Sequence, residues 1–471
     1  MQLTPEQQPI LDYIQATEGL TLISSIAGSG KTTMLTAIAK AIPHTNGLYL
    51  AYNTSVANDS KRKFPSSTHC MTTHSMAYRA TVIPLKLSVG FFNYKTITEK
   101  IKYETKWEII NSIKAFCLSK FLTYTEYADE YQLPPLYTKI ATKYLGLMHS
   151  GKIDCTHDFY LKLFHILLHK GEVAYDNFDF IMLDEAGDLN EVTLEIFKLL
   201  PSPRKIAVGD PFQNIYTFNY TINCFEVLKD EGTLFQMSQS FRVPNTIATK
   251  IEHFCQSYLD SSMSFKGVPL VDPTISTRAY LTRTNSALIH KMIELNQLNI
   301  PYGLVRKAKD IFKLPLMLCS LKYQGFITDP GYKFIQADID DWYEDQLLKD
   351  TYKSPIVYLA SLYKDDIQLV QAIRLLQRHG KSVILDSYAE ARKHEQSSQA
   401  YTLATVHSCK GAEFDEVTIA NDLNESTADS IKSIKHGLPL SQLSPQERES
   451  LNLYYVAVTR TSKELYNATH L

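Results

Sequence analysis

The segment Ser25-Ile26-Ala27-Gly28-Ser29-Gly30-Lys31-Thr32-Thr33 constrains the chain more than any other. The apolar run Leu20 to Ile26 before it reads as a buried parallel strand. After it, Leu35, Ile38, Ala39 and Ile42 are spaced for one buried helical face. A strand, a glycine turn and a helix in that order form the setting in which backbone N–H groups close around phosphate oxygens. The helix N-terminus favours the same negative charge. Lys31 is placed to reach β- and γ-phosphates and Thr32 to hold Mg²⁺, with Gly28, Ser29, Gly30 and Thr33 completing the cradle. Ser25 stands where such loops usually have their first glycine.

The remaining composition excludes several classes. The 471 residues are 44% hydrophobic and 21% charged, an ordinary balance for a soluble globular chain of several domains. No apolar run approaches the ~20 residues of a membrane span, and the polar N-terminus has no signal-peptide core, so a cytoplasmic location without membrane contact is expected. Seven dispersed cysteines without a C-x-x-C pair suit reduced, packed thiols. A net charge of −2 neither advertises nor excludes nucleic-acid binding, because a groove needs only local positive charge; the basic runs Lys61-Arg62-Lys63 and Arg306-Lys307-Lys309 are local candidates that, each taken alone, read as solvated faces. His165 and His169 have metal-ligand spacing but no accompanying His-Glu-x-x-His pattern.

Taken in order, Thr4-Pro5-Glu6-Gln7 reads as a capping box opening a helix. Leu48 to Ala51 is a second short strand running into Tyr52, and Thr72-Thr73-His74 follows. Residues 80–158 are rich in Tyr, Lys and Thr and read as a helical insertion. Phe178 to Leu183 is a strand ending in Asp184-Glu185. Carboxylates at the end of a buried strand sit where open α/β sheets bind ligands, and the pair can hold Mg²⁺ and activate water. Lys205 to Val208 is another strand, ahead of Gln213, Tyr216 and Phe218. Ser240-Phe241-Arg242 precedes a helix, Ala279 to Thr284 is a strand, and residues 309–396 break the rhythm as a second insertion. The pattern resumes at Leu403, with His407 and Glu413, and closes at Arg460. The chain ends eleven residues later, so no C-terminal accessory domain is expected.

This ordered set resembles superfamily 1 helicases of the UvrD/Rep type, and among them the helicase part of the F-box DNA helicases. The resemblance runs along nearly the whole chain, and an F-box segment with its ubiquitin-ligase role is not expected. It implies an α/β fold of two RecA-like parallel-sheet cores, each carrying a mainly helical insertion. The implied limits are 1–79 with 159–238 for core 1A and 80–158 for insertion 1B. Core 2A would take 239–308 with 397–471, and insertion 2B 309–396. ATP would lie between the cores and single-stranded DNA across their top. On this resemblance Lys31, Glu185, Gln213, Arg242 and Arg460 serve hydrolysis. Gln7 and Phe241 hold adenine, Glu413 lies near the ribose, and Thr32 with Asp184 holds Mg²⁺. Tyr52, His74, Tyr216, Phe218 and His407 fall in DNA-facing motifs, where aromatic rings stack on bases without reading sequence. The implied activity is ATP-dependent 3′–5′ DNA unwinding on single strands and junctions by a monomer, with a protein loading partner possible. A translocase that strips proteins from DNA, and an ATP-controlled binding subunit of a nuclease or recombination complex, are the competing readings. Two departures touch the relay between ATP and DNA. Gly187 replaces the glutamine usual after the Asp-Glu pair, and Asn219-Tyr220 replace the usual Arg-Gly. The second insertion is also shorter than in long UvrD-type enzymes.

Overall fold

The computed structural model describes residues 3–42, 46–175, 178–215, 220–321, 334–364, 366–395 and 401–471. They form two compact units, Met1–Phe241 with Ser264–Lys266, and Arg242–Met263 with Gly267–Leu471. Each is built on a parallel sheet, giving the mixed α/β architecture of two RecA-like cores.

In the first unit six strands lie in one sheet: β1 Gly19–Ser25, β2 Gly47–Ala51, β3 Thr68–Thr72, β4 Phe180–Leu183, β5 Arg204–Gly209 and β6 Thr233–Met237. Their spatial order is β3-β2-β4-β5-β1-β6, every neighbouring pair parallel. Period-two side-chain alternation explains why the strands read as apolar runs: both faces are covered. Leu22, Leu48, Leu50, Ile181 and Leu183 enter one core. Their neighbours Ile23, Tyr49 and Met182 enter another, beneath helices Gln7–Ala16 and Lys31–Ala41. The first core continues into a helical layer, Tyr103–Leu118, Tyr124–Glu130, Pro135–His149 and His157–His169.

A buried polar knot sits in that layer. Lys162 is 1% exposed and donates to the carbonyls of Ser119 at 2.5 Å and Phe121 at 2.8 Å, beyond the C-terminus of helix Tyr103–Leu118. Its ammonium also lies 3.5 Å from His165 Nδ1. Burial, then the Lys162 and His169 charges, push the His165 pKa down to about 3. The unfolded chain takes up a proton near the ordinary value of about 6.5, well before the folded one does, so stability is full above that pH and is lost as pH falls towards 3. At pH 4 the loss is about 3 kcal/mol. His165→Gln is therefore expected to flatten the fall of melting temperature between pH 6.5 and 4. An unchanged acid limb would remove His165 as its source.

The second unit holds a five-stranded parallel sheet of β7 Arg278–Thr282, β8 Gly303–Leu304, β9 Tyr401–Thr405, β10 Phe414–Ile419 and β11 Thr461–Tyr466, in the order β8-β9-β7-β10-β11. Helices Lys313–Leu321, Phe334–Glu344, Pro355–Leu362 and Ile367–Ala391 occupy the stretch between β8 and β9. The seven cysteines are buried free thiols. Among the described residues no helix is long and apolar enough to cross a membrane.

Candidate nucleotide and strand-end sites

Because the first sheet is parallel, the C-terminal ends of β1 to β5 share one edge. Most of the residues singled out in the first half of the sequence lie there. The loop after β1 turns through Gly28 and Gly30, whose φ angles of 75° and 81° favour residues without a Cβ. A Cβ on Gly30 would also come within 3.3 Å of Gln7 Nε2. Gly30 is the N-cap of helix Lys31–Ala41, so the first N–H groups of that helix point into the loop. Ser25 is 1% exposed and its hydroxyl donates to Gly209 O at 2.9 Å. A glycine there would lose this tie between β1 and β5.

Lys31 Nζ lies 3.4 and 3.5 Å from the two Glu185 carboxylate oxygens. Burial works against its charge, but Glu185, Asp210 and Asp184 together outweigh burial and hold its pKa above the ordinary value. Asp184 is 7% exposed. Burial and the Glu185 charge raise its pKa, and Lys31 opposes them. Its Oδ2 accepts from Tyr49 OH at 2.5 Å and its Oδ1 from the Glu185 N–H at 2.9 Å. Glu185 itself has φ 53°, a left-handed backbone that turns the chain sharply after the strand. Asp210 at the end of β5 fixes the neighbouring sensor position, accepting from Gln213 Nε2 at 2.8 Å and Phe212 N–H at 3.0 Å. The two loops approach so closely that a Cβ on Gly187 would lie 2.2 Å from Asp210 O. That contact is the physical reason a glycine, and no glutamine, follows Asp184-Glu185-Ala186 here.

Gln7 serves two partners. Its Oε1 accepts from Thr4 N–H at 3.2 Å, the reciprocal bond runs from Gln7 N–H to Thr4 Oγ1 at 3.1 Å, and its Nε2 donates to Ser29 O at 3.4 Å. The capping-box bonds are therefore made, although the α-helix itself starts at Gln7. Phe241 donates its N–H to Gly28 O at 2.8 Å, is 51% exposed and lies beside Gly30. Ser29 is 2% exposed and its hydroxyl has no hydrogen-bond partner. A buried hydroxyl of this kind is costly unless a ligand oxygen pairs with it, so the loop fits a phosphate. The hard oxygen donors Asp184 and Thr32, near Lys31 and Glu185, fit Mg²⁺.

Tyr52 and His74 line a cleft of about 350 Å³ whose other walls include Lys114, Asp158, Asp184 and Asn190. Tyr52 is 48% exposed. His74 packs edge-on to Tyr160 at 6.0 Å, and its burial lowers its pKa, with Asp158 opposing. Tyr216 and Phe218 lie outside the described residues.

In the second unit the singled-out residues divide between the two edges of the sheet. Arg242, Glu413, Thr459 and Arg460 gather where β10 and β11 begin. The Arg242 guanidinium pairs with the Glu413 carboxylate and donates to Thr459 O at 3.2 Å. Arg460 is 2% exposed. It donates to Val456 O at 2.9 Å, Thr459 Oγ1 at 3.3 Å and Ala412 O at 3.4 Å, a buried anchor where the motif frame suggests a reaching finger. His407 lies at the opposite edge, after β9, with Nε2 3.5 Å from Glu449 Oε1. Near it Arg283 donates to Ser450 Oγ at 2.7 Å and Ser426 Oγ at 3.2 Å. Sequence reasoning missed Tyr49 and Asp210. Asp210 was findable as a strand-end carboxylate, whereas Tyr49 sits within an apolar run and carries no local signal.

Comparison with known proteins agrees with this architecture. The UvrD-like helicase C-terminal domain matches residues 371–470, and an AAA domain matches residues 8–219. F-box DNA helicase protein 1 of Schizosaccharomyces pombe is 25% identical over 98% of this chain and 57% of its own length. F-box DNA helicase 1 of Gallus gallus is 25% identical over 98% of the chain and 48% of its own length. The chain thus spans about half the length of these curated relatives. By these matches and its two-core fold the chain is similar to the UvrD-like helicases. The relatives it is similar to along its length are F-box DNA helicases.

Proposed function

We propose that the chain is an ATP-driven DNA helicase that moves 3′ to 5′ on single-stranded DNA. The observation that carries the reading is the Lys31 ammonium poised against Glu185 beside Asp184 and Asp210, above a glycine loop with an unpartnered buried hydroxyl at Ser29. A nucleotide phosphate competes with Glu185 for Lys31, and its arrival releases the Glu185 carboxylate to take a proton from the attacking water. Gln213, held by Asp210, senses the γ-phosphate. Thr32 and Asp184 would hold Mg²⁺, which would supply charge neutralisation at the phosphates. Gln7 and the exposed Phe241 hold the adenine, and Glu413 the ribose. Arg242 and Arg460 meet the charge spread over the transferring phosphoryl group, which guanidinium forks suit. Tyr52, His74, Tyr216, Phe218 and His407 contact the strand. The domain limits are 1–79 with 159–238 for the ATP-binding core, 239–308 with 397–471 for the second core, and 80–158 and 309–396 for the insertions. Replication, repair or recombination is the setting such a motor serves.

ATP turnover measured with and without single-stranded DNA tests the reading. Stimulation of tenfold or more is expected, with salt-sensitive, sequence-tolerant DNA binding. Turnover indifferent to DNA would contradict it.

A further inference from the structure

A second cavity, of about 280 Å³, opens in the first unit beside β3, the edge strand of its sheet. It lies away from the Lys31 loop, and its walls are helix Thr54–Ser60 with the turn that follows, β3, and the turns after Thr72. Lys61 and Arg79 supply two cations, and no carboxylate lines it. The Cys70 thiol on the wall is pushed up to about 11 by burial, with Lys61 opposing, so it stays neutral and adds no negative charge. Lys61 Nζ donates to Asn58 Oδ1 at 3.1 Å, which uses one of its three donors. Thr68 also lines the cavity. It is 6% exposed, and its hydroxyl has no hydrogen-bond partner.

Each of these features costs stability in isolation. Two cations without a carboxylate repel one another, and an orphaned buried hydroxyl forfeits its bond to water. A tetrahedral phosphate anion relieves both, because its oxygens accept hydrogen bonds from the hydroxyl, the ammonium and the planar Arg fork together. We propose that this cavity is a phosphate-binding site built by Lys61, Arg79 and Thr68. Its ligand is either a phosphodiester of a nucleic-acid strand that extends beyond the strand-end cleft, or free phosphate. Only the first source rests on the DNA reading above. The basic run that begins at Lys61 thus has a ligand-facing member, though in sequence it reads as a solvated face.

The test uses the full chain with Lys31→Ala as background, so that the glycine loop contributes little phosphate binding. Melting temperature is followed against inorganic phosphate at constant ionic strength in this parent, in a Lys61→Ala/Arg79→Ala double variant and in Thr68→Val. The parent should gain several degrees over the double variant. Thr68→Val should lose most of the gain while its phosphate-free melting temperature stays at or above the parent's. In parallel, the salt dependence of single-stranded DNA affinity is compared with and without Lys61→Ala/Arg79→Ala. Losing one phosphate contact should reduce the slope of log K against log salt by about 0.7. Loss of both the phosphate gain and this slope assigns the phosphodiester. Loss of the phosphate gain with an unchanged slope assigns free phosphate. An unchanged phosphate response in the double variant, or a Thr68→Val chain that melts lower yet keeps its full phosphate gain, overturns the site. Absence of DNA binding by the unmodified chain would count against the helicase reading alone, since the phosphate arm still decides the cavity.

Discussion

Lys31→Ala is expected to lower ATP turnover by at least about 10²–10³-fold, the scale on which a preorganised donor to developing negative charge acts. The fold should survive. Lys31 lies on the first turn of its helix, and alanine is the best helix former. The variant loses the Lys31 ammonium that opposes the raised pKa of Asp184, so that carboxyl should titrate at higher pH than before. Circular dichroism and melting temperature near those of the parent, with turnover lost, is the predicted pair of results. Turnover close to the parent's would remove Lys31 from the site.

The second large effect concerns Arg460, where two contributions must be separated. Its side chain is buried and satisfies Val456 O, Ala412 O and Thr459 Oγ1. Arg460→Ala therefore leaves a cavity and orphaned acceptors, a loss of about 3–5 kcal/mol in stability. If Arg460 also meets the transferring phosphoryl group, turnover per folded molecule should fall by roughly 10³–10⁵ while ATP affinity changes little. Turnover and nucleotide affinity measured well below the melting point of the variant distinguish the two. A decline in turnover no larger than the unfolded fraction would make Arg460 an anchor for helix Pro445–Val458 and β11 and nothing more.

The legible parts of this chain are those where local chemistry and global position agree. β1, β2, β4 and β5 announce themselves because both sheet faces are covered, so their sequences are nearly continuous apolar runs. The ligand-facing residues follow immediately, since parallel strands deliver their C-terminal ends to one edge. β3, with sequence Thr-His-Cys-Met-Thr, carries no such run: it is an edge strand with one exposed position, His69. β10 and β11 are also polar along much of their length and escaped notice. Two side-chain facts were beyond local reading altogether. Tyr49 reaches Asp184 because β2 and β4 are neighbours, a pairing across more than a hundred residues. Arg460 is buried because helix Pro445–Val458 packs almost entirely inside, from Ser450 to Val458. Gly187 is a departure from the family pattern whose reason exists only in three dimensions, in the approach of Asp210 O.

Strand displacement on matched duplexes that differ only in the polarity of their single-stranded tail tests the central claim most directly. With ATP and Mg²⁺, the account predicts displacement from the 3′-tailed duplex and little from the 5′-tailed one, abolished in Lys31→Ala. Displacement confined to 5′ tails would contradict the proposed direction, and DNA-independent ATP turnover without displacement from either tail would contradict the motor itself.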